Sequence, residues 1–265
     1  MKVIISHDID HLTVNEHLTD SIIPKFIIRN HIELIKGYIS FNEYKLRWSK
    51  LFKNKWNNIS ELIEFNKKQD IPSTFFIGVN NGVGLNYSLE LSAKWIERIL
   101  KTETDCGVHG IAFNDLESVK KEHDTFKEIS GLDNFGIRMH YLRNDDKTLG
   151  FLNKAGYIFD STDYGIKPDY KIGKMHEFPL HIMDGYELEA GKRWQSADTK
   201  TAIETTIRKI NKAINNNIDF LTILFHDRYF DDSFLSWKKW YTETIKYCKS
   251  QGFEFIDFRT ATTYK

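Results

Sequence analysis

Cysteine is scarce: two residues, Cys106 and Cys248, in a chain of 265. That excludes a disulfide framework and fits free thiols in a reducing compartment. Proline and glycine are also few, 4 and 15, which leaves no room for collagen-like or linker character. No charge sign is in excess, since Lys+Arg and Asp+Glu are both 37. A general nucleic-acid binder would need a basic surplus to displace counterions from phosphates. No apolar run approaches the roughly 18 residues that cross a bilayer, so no transmembrane segment is expected. The opening residues lack the charged, apolar and small-residue blocks of a secretory leader, and the expected location is cytoplasmic. What is present is an ordinary globular composition, 41% hydrophobic and 28% charged, with enough aromatics (14%) for a sizeable core.

Apolar runs alternate with helical periodicity along the chain. Val3-Ile4-Ile5 reads as a buried strand running into His7-Asp8-Ile9-Asp10-His11. Residues 17–58, rich in Tyr, Trp and basic side chains, read as a helical insert covering one end of a single domain spanning 1–265. Beyond it, a helix is expected from Ser60, capped by that serine, then a strand over 73–79. Helices follow over 88–101, 115–130, 145–155, 199–215 and 237–251. Strands are expected at 104–110, 135–140, 157–162, 220–225 and 253–257, with an extended piece over 177–184. Gly156 and Gly252 stand where helices should stop. About seven buried strands, each followed by a helix, imply a parallel sheet covered by helices. The fold class is α/β, a distorted (β/α)7-type barrel, closed or nearly closed.

The C-terminal ends of these strands carry Asp8 and Asp10, His109, Arg138 and His140, Asp160 and Asp163, and His226. In parallel α/β barrels such ends share one mouth, where active sites lie. Carboxylates and imidazoles gathered there suit a divalent cation such as Zn²⁺. With a carboxylate base and an imidazole acid, a metal can hydrolyse an amide. Each residue also has a plainer reading, as a turn carboxylate, a hydrogen-bonded core histidine or a structural ion pair.

In this order the motifs resemble the polysaccharide deacetylases (NodB-type, carbohydrate esterase family 4). The first motif is similar to the His-Asp-(Val/Ile)-Asp variant found near surface-polysaccharide and O-antigen biosynthesis genes. The likeness rests on Ser6–Asp10, Gly107–His109, Gly136–Arg143, Phe159–Thr162, Pro179–Asp184 and Leu224–Asp227. It implies a metal-dependent deacetylase whose substrate is an N-acetylated amino sugar of a glycan, a lipid-linked intermediate or an activated precursor in surface-polysaccharide biosynthesis, the expected cytoplasmic location favouring the last two. Under it Asp8 is the general base, Asp10 and His109 hold the metal, Arg138 orients Asp8, and His226 is the general acid. Asp163 and Tyr164 stand where many members carry an Asp-Trp pair, the Asp tuning the acid and the aromatic walling the acetyl pocket. Asp160 joins the catalytic group by position, and Tyr141 and His11 are candidate substrate contacts. One departure is clear. The family's second motif has another His four residues after the first, and here that position is Phe113. His140 is the preferred third ligand, ahead of Asn114 and Asp115. For His7 and His11 the expectation is a supporting or exposed role, and for His17, His31 and His123 a solvated one. A deformylase, another amidase, or a degenerate barrel that binds a sugar or a protein partner remains an alternative.

Overall fold

The computed structural model describes Met1–Tyr264. Parallel strands β1 (Lys2–Ile9), β2 (Ser73–Ile77), β3 (Asp105–Gly110), β4 (Ile137–Met139) and β5 (Phe159–Asp160) lie side by side in chain order. β9 (Phe220–Leu224) pairs with the other side of β1, and β10 (Glu254–Ile256) adds to the start of β1. The sheet curls back on itself through one extended segment over 175–183. Its first part, β7 (Met175–Glu177), pairs with β5, and its second, β8 (Ile182–Met183), pairs with β9. The nearly closed barrel expected from the strand count is therefore present, distorted where Phe178–His181 passes from one neighbour to the other. An antiparallel strand β6 (Tyr170–Ile172) hangs on the outer edge of β7, an element the strand–helix pattern did not suggest.

Helices α3 (Ile59–Lys68), α4 (Leu89–Leu100), α5 (Leu116–Ser130), α6 (Thr148–Ala155), α8 (Thr199–Asn215) and α9 (Leu235–Ser250) cover the strands. Ser88, Asp115 and Asp198 cap α4, α5 and α8 by accepting from backbone N–H groups of their first turns. Gly131, Gly156 and Gly252 follow α5, α6 and α9 with positive φ, the left-handed turn that stops a helix. α3 begins one residue earlier than expected and follows Asn58, not a serine cap. Its entry is fixed by tertiary contacts: the Asn58 N–H donates to Asp227 and its side-chain amide to the Arg228 carbonyl.

The insert forms α1 (Ile22–Ile35), which lines the cavity at the C-terminal ends of the strands, and α2 (Phe41–Phe52), which packs on α1 and on the segment over 231–233. α2 opens with a capping box between Ser40 and Glu43. α1 turns two of its polar residues inward. Asn30 and Glu33 are buried, Arg47 of α2 pairs with Glu33, and Arg29 bridges Glu33 and Glu189. The aromatics of the insert divide: Trp56 belongs to the core, whereas Phe41 and Phe52 are exposed. No helix among the described residues is long and apolar enough to cross a membrane.

Candidate active site

Ser6, Asp8 and Asp10 alternate along β1 and its exit, so their side chains lean to the same side. Arg138, at the end of β4, reaches across the barrel to meet two of them. Its Nη1 donates to Ser6 Oγ at 2.8 Å and to Asp8 Oδ1 at 3.0 Å. Its Nε and Nη2 are used on the carbonyl and hydroxyl of Ser161. The guanidinium is fully buried and lies over the Phe76 ring at 4.6 Å. Asp8 is thereby fixed through one oxygen, while Oδ2 has no hydrogen-bond donor among the described residues and Asp8 lines the cavity below.

His109 and His140 converge on Asp10. Nε2 of His109 and Nδ1 of His140 each lie 3.2 Å from Asp10 Oδ1, and 3.0 Å from each other. The outward nitrogens of both rings face backbone carbonyls: Nδ1 of His109 donates to Arg138 O at 3.1 Å, and Nε2 of His140 to Val83 O at 3.2 Å. A carbonyl only accepts, so these nitrogens carry the hydrogens and the inward ones present lone pairs. Two lone pairs and a carboxylate oxygen in mutual contact repel unless a positive charge sits between them. Two imidazoles and one carboxylate, second ring nitrogens anchored by carbonyls, are a donor set that suits a divalent ion.

Local backbone strain positions this group. Tyr141 and Leu142 follow His140 with φ of 58° and 52°, and Val83 has φ of 55°, a costly conformation for a β-branched residue. The tight turn Gly82–Leu85 aims the Val83 carbonyl at His140. Phe113, where the resembling family has its second His, packs partly buried against the core under the Arg143 guanidinium, 5.1 Å from its ring.

His226 leaves β9 opposite these ligands. Its backbone N–H and its Nδ1 donate to the two oxygens of Asp184, each at 2.7 Å, and its Nε2 stands 3.6 Å from Asp10 Oδ2. Burial disfavours the imidazolium, yet Asp184, with Asp10 and Asp8 beyond it, raises the His226 pKa well above the ordinary value.

The structure thus brings Asp8, Asp10, His109, Arg138, His140 and His226 together. Asp160 and Asp163 it does not. Asp160 is fully buried at the β5–β7 register, accepting from Thr162 Oγ1 and facing Glu177. Asp163 pairs with Lys167 and accepts from the Tyr170 hydroxyl. The residue that touches the acid His is Asp184. It opens the short helix α7 (Asp184–Glu189), which brings its fully buried carboxylate onto the His226 ring. In the sequence, the Asp in Pro179–Asp184 could have drawn attention, but the pairing spans 42 residues and needs β8 beside β9. Tyr164 does not line the cavity. It packs edge-on against Tyr186, which does.

Of the remaining histidines, His17 and His123 depart from the solvated role expected for them. His7 is wholly buried on the opposite face of β1, donating to Phe225 O and accepting from Asn66, and burial pulls its pKa down to about 3. His17 and His123 are buried too, His123 stacked on Phe135, and only His31 is exposed. His11, Glu16 and His17 make a second cluster of ligating side chains. There Glu16 is engaged by the Leu12 and Thr13 N–H groups, and His17 links Asp20 to His11 by ordinary hydrogen bonds.

The ligands open into a cavity of about 830 Å³, roofed by α1 and walled by Tyr141, Tyr186, Trp194 and Tyr229. That is within the range of small-molecule sites, roughly 300–1,000 Å³.

No protein-family model and no curated protein matches this sequence. The fold has solved counterparts, and it is that of the polysaccharide deacetylases of carbohydrate esterase family 4. A protein described as a polysaccharide deacetylase from Mycobacterium smegmatis superposes with a TM-score of 0.65 over 99% of this chain and 88% of its own, at 13% identity. An allantoinase, Puue, gives 0.65 over 99% and 89% at 11% identity. A pseudoenzyme of the carbohydrate esterase family from Bacillus anthracis gives 0.53 over 98% and 65% at 10% identity.

Proposed function

We propose that the protein is a zinc-dependent hydrolase that removes an N-acetyl group from an amino sugar, as a step in making a surface polysaccharide. The observation that carries the reading is the Asp10–His109–His140 triangle, whose inward lone pairs call for a cation. A divalent ion held there supplies an acidified water and polarises the acyl oxygen. Asp8, anchored by Arg138 through one oxygen, turns the other to the cavity and takes the proton of the attacking water. His226 stands across the cavity with Nδ1 fixed by Asp184, and its Nε2 gives a proton to the departing nitrogen. The amide C–N bond breaks, the water oxygen joins the acyl carbon, and acetate and a free amine leave.

The test is acetate release from a panel of N-acetylhexosamines by protein reconstituted with Zn²⁺ or Co²⁺. Release by the wild type and its loss in Asp8→Asn supports the reading; no release from any member of the panel refutes it. The likeness to an allantoinase keeps a second amidase reading in play. Profiling formyl, acetyl and cyclic amides on the same protein separates the two.

A further inference from the structure

The cations lining the cavity divide into two groups. Arg29 is used by Glu33 and Glu189. Lys25, Arg193 and Arg228 line the same cavity and have no carboxylate within 4.0 Å among the described residues. The acidic groups nearby are already engaged: Asp8 by Arg138, Asp10 by its imidazoles, Glu189 by Arg29. The chain as a whole carries no net charge, so three unpaired cations at one mouth are not a consequence of general basicity.

Arg228 is the most telling of them. Its guanidinium carbon lies 4.1 Å from the Trp56 ring centre and 4.7 Å from that of Phe26, so the planar fork is gripped by two aromatics. Nε and Nη2 are buried with no acceptor. Arg228 as a whole is half-buried and lines the cavity, so a guanidinium that has lost part of its water without gaining an anion stands where a ligand can complete it. Burial, with Arg29 and Arg47 nearby, also lowers its pKa to about 10. Lys25 and Arg193 are exposed and free to close over whatever Arg228 holds.

We propose that the cavity takes an acylated amino sugar carrying a phosphate or diphosphate, held by Arg228 with Lys25 and Arg193. Carboxylate and phosphate both match the guanidinium fork, but a carboxylate brings one negative charge to the three cations, whereas a phosphomonoester or a diphosphate brings about two. The inference rests on the deacetylase reading for the acyl end and on these three cations for the anionic end. Ile28, exposed at 59%, lies on the cavity rim, so the substrate panel includes a lipid-borne phosphate.

Binding is measured first by calorimetry, which needs no turnover, with N-acetylglucosamine, its 1-phosphate, its uridine diphosphate conjugate and a farnesyl diphosphate conjugate in detergent. Acetate release from the same four follows. The expected result is at least tenfold tighter binding of one or more phosphorylated members than of the neutral sugar. That preference should fall at least tenfold in Lys25→Ala/Arg193→Ala, a surface double variant, and in Arg228→Gln. Preference for all three phosphorylated members assigns recognition to the sugar phosphate itself, and preference for the farnesyl member alone assigns it to a carrier lipid; either supports the proposal. Equal binding of neutral and phosphorylated sugars overturns it, as does a preference the double variant retains in full. Phosphate-dependent binding without acetate release from any member would sink the deacetylase reading and leave the anion site standing.

Discussion

Glu177→Gln should make the protein less sensitive to rising pH. Glu177 and Asp160 are fully buried and face each other in the β5–β7 ladder, a placement in which two carboxylates repel unless one of them holds a proton. Glu177 Oε1 accepts from the Asp163 N–H and Asp160 Oδ1 from Thr162, while the buried Oε2 and Oδ2 have no donor among the described residues. Burial and then Asp160 raise the Glu177 pKa well above the ordinary value, so the folded pair keeps its proton where the unfolded chain has released it. Unfolded carboxyls titrate near pH ~4. Above that pH the folded state binds more protons, and its stability falls as pH rises, by about 1.4 kcal/mol per unit while the pair stays protonated. Each pH unit over which the folded pair keeps its proton therefore lowers Tm by about 3–6 °C, at roughly 2–4 °C per kcal/mol for a chain of this size. Glutamine keeps the geometry, since its oxygen can accept from Asp163 and its NH₂ can donate to Asp160, and it removes the proton. Asp227 and Glu122, raised by burial to about 8 and about 7, contribute the same slope to both proteins and cancel in the comparison. Thermal melts of the metal-free proteins from pH 5 to 8 measure it. Parallel Tm curves for wild type and variant would refute the shared proton.

Adding Zn²⁺ at 100 times its Kd should stabilise the wild type by about 2.7 kcal/mol, read as a Tm rise of roughly 5–10 °C. His140→Ala should abolish most of that rise, and a full rise in the variant would remove His140 from the ligand set. Asp184→Asn should cut kcat by about 100-fold or more with little change in KM, because an amide cannot accept from both His226 N–H groups and from Gly185 as the carboxylate does. A kcat within twofold of wild type would show that Asp184 does not position the acid.

The alternation of buried runs and amphipathic segments made the parallel barrel legible, because the period of apolar residues is set by local geometry alone. The strand-end acids and imidazoles were legible for the same reason, since in such a barrel position along a strand predicts position at the mouth. Asp8, Asp10, His109, Arg138, His140 and His226 all fall out of that rule. It failed at the irregular segment over 157–184, where short strands change partners. There Asp160 and Asp163, placed in the mouth by strand counting, turn to Glu177 and Lys167 instead. Asp184 takes the place beside His226, and only the crossing from β5 to β9 brings it there. The burial of His7, His17 and His123 was hidden likewise, because an imidazole's surroundings depend on what packs over it. The unpaired Arg228 was hidden for the same reason. Sequence by itself determined which groups could meet at the mouth of the barrel; the chain's path over 175–183 and the roof of α1 decided which did, since partners 42 to 132 residues apart are set by packing and not by local spacing.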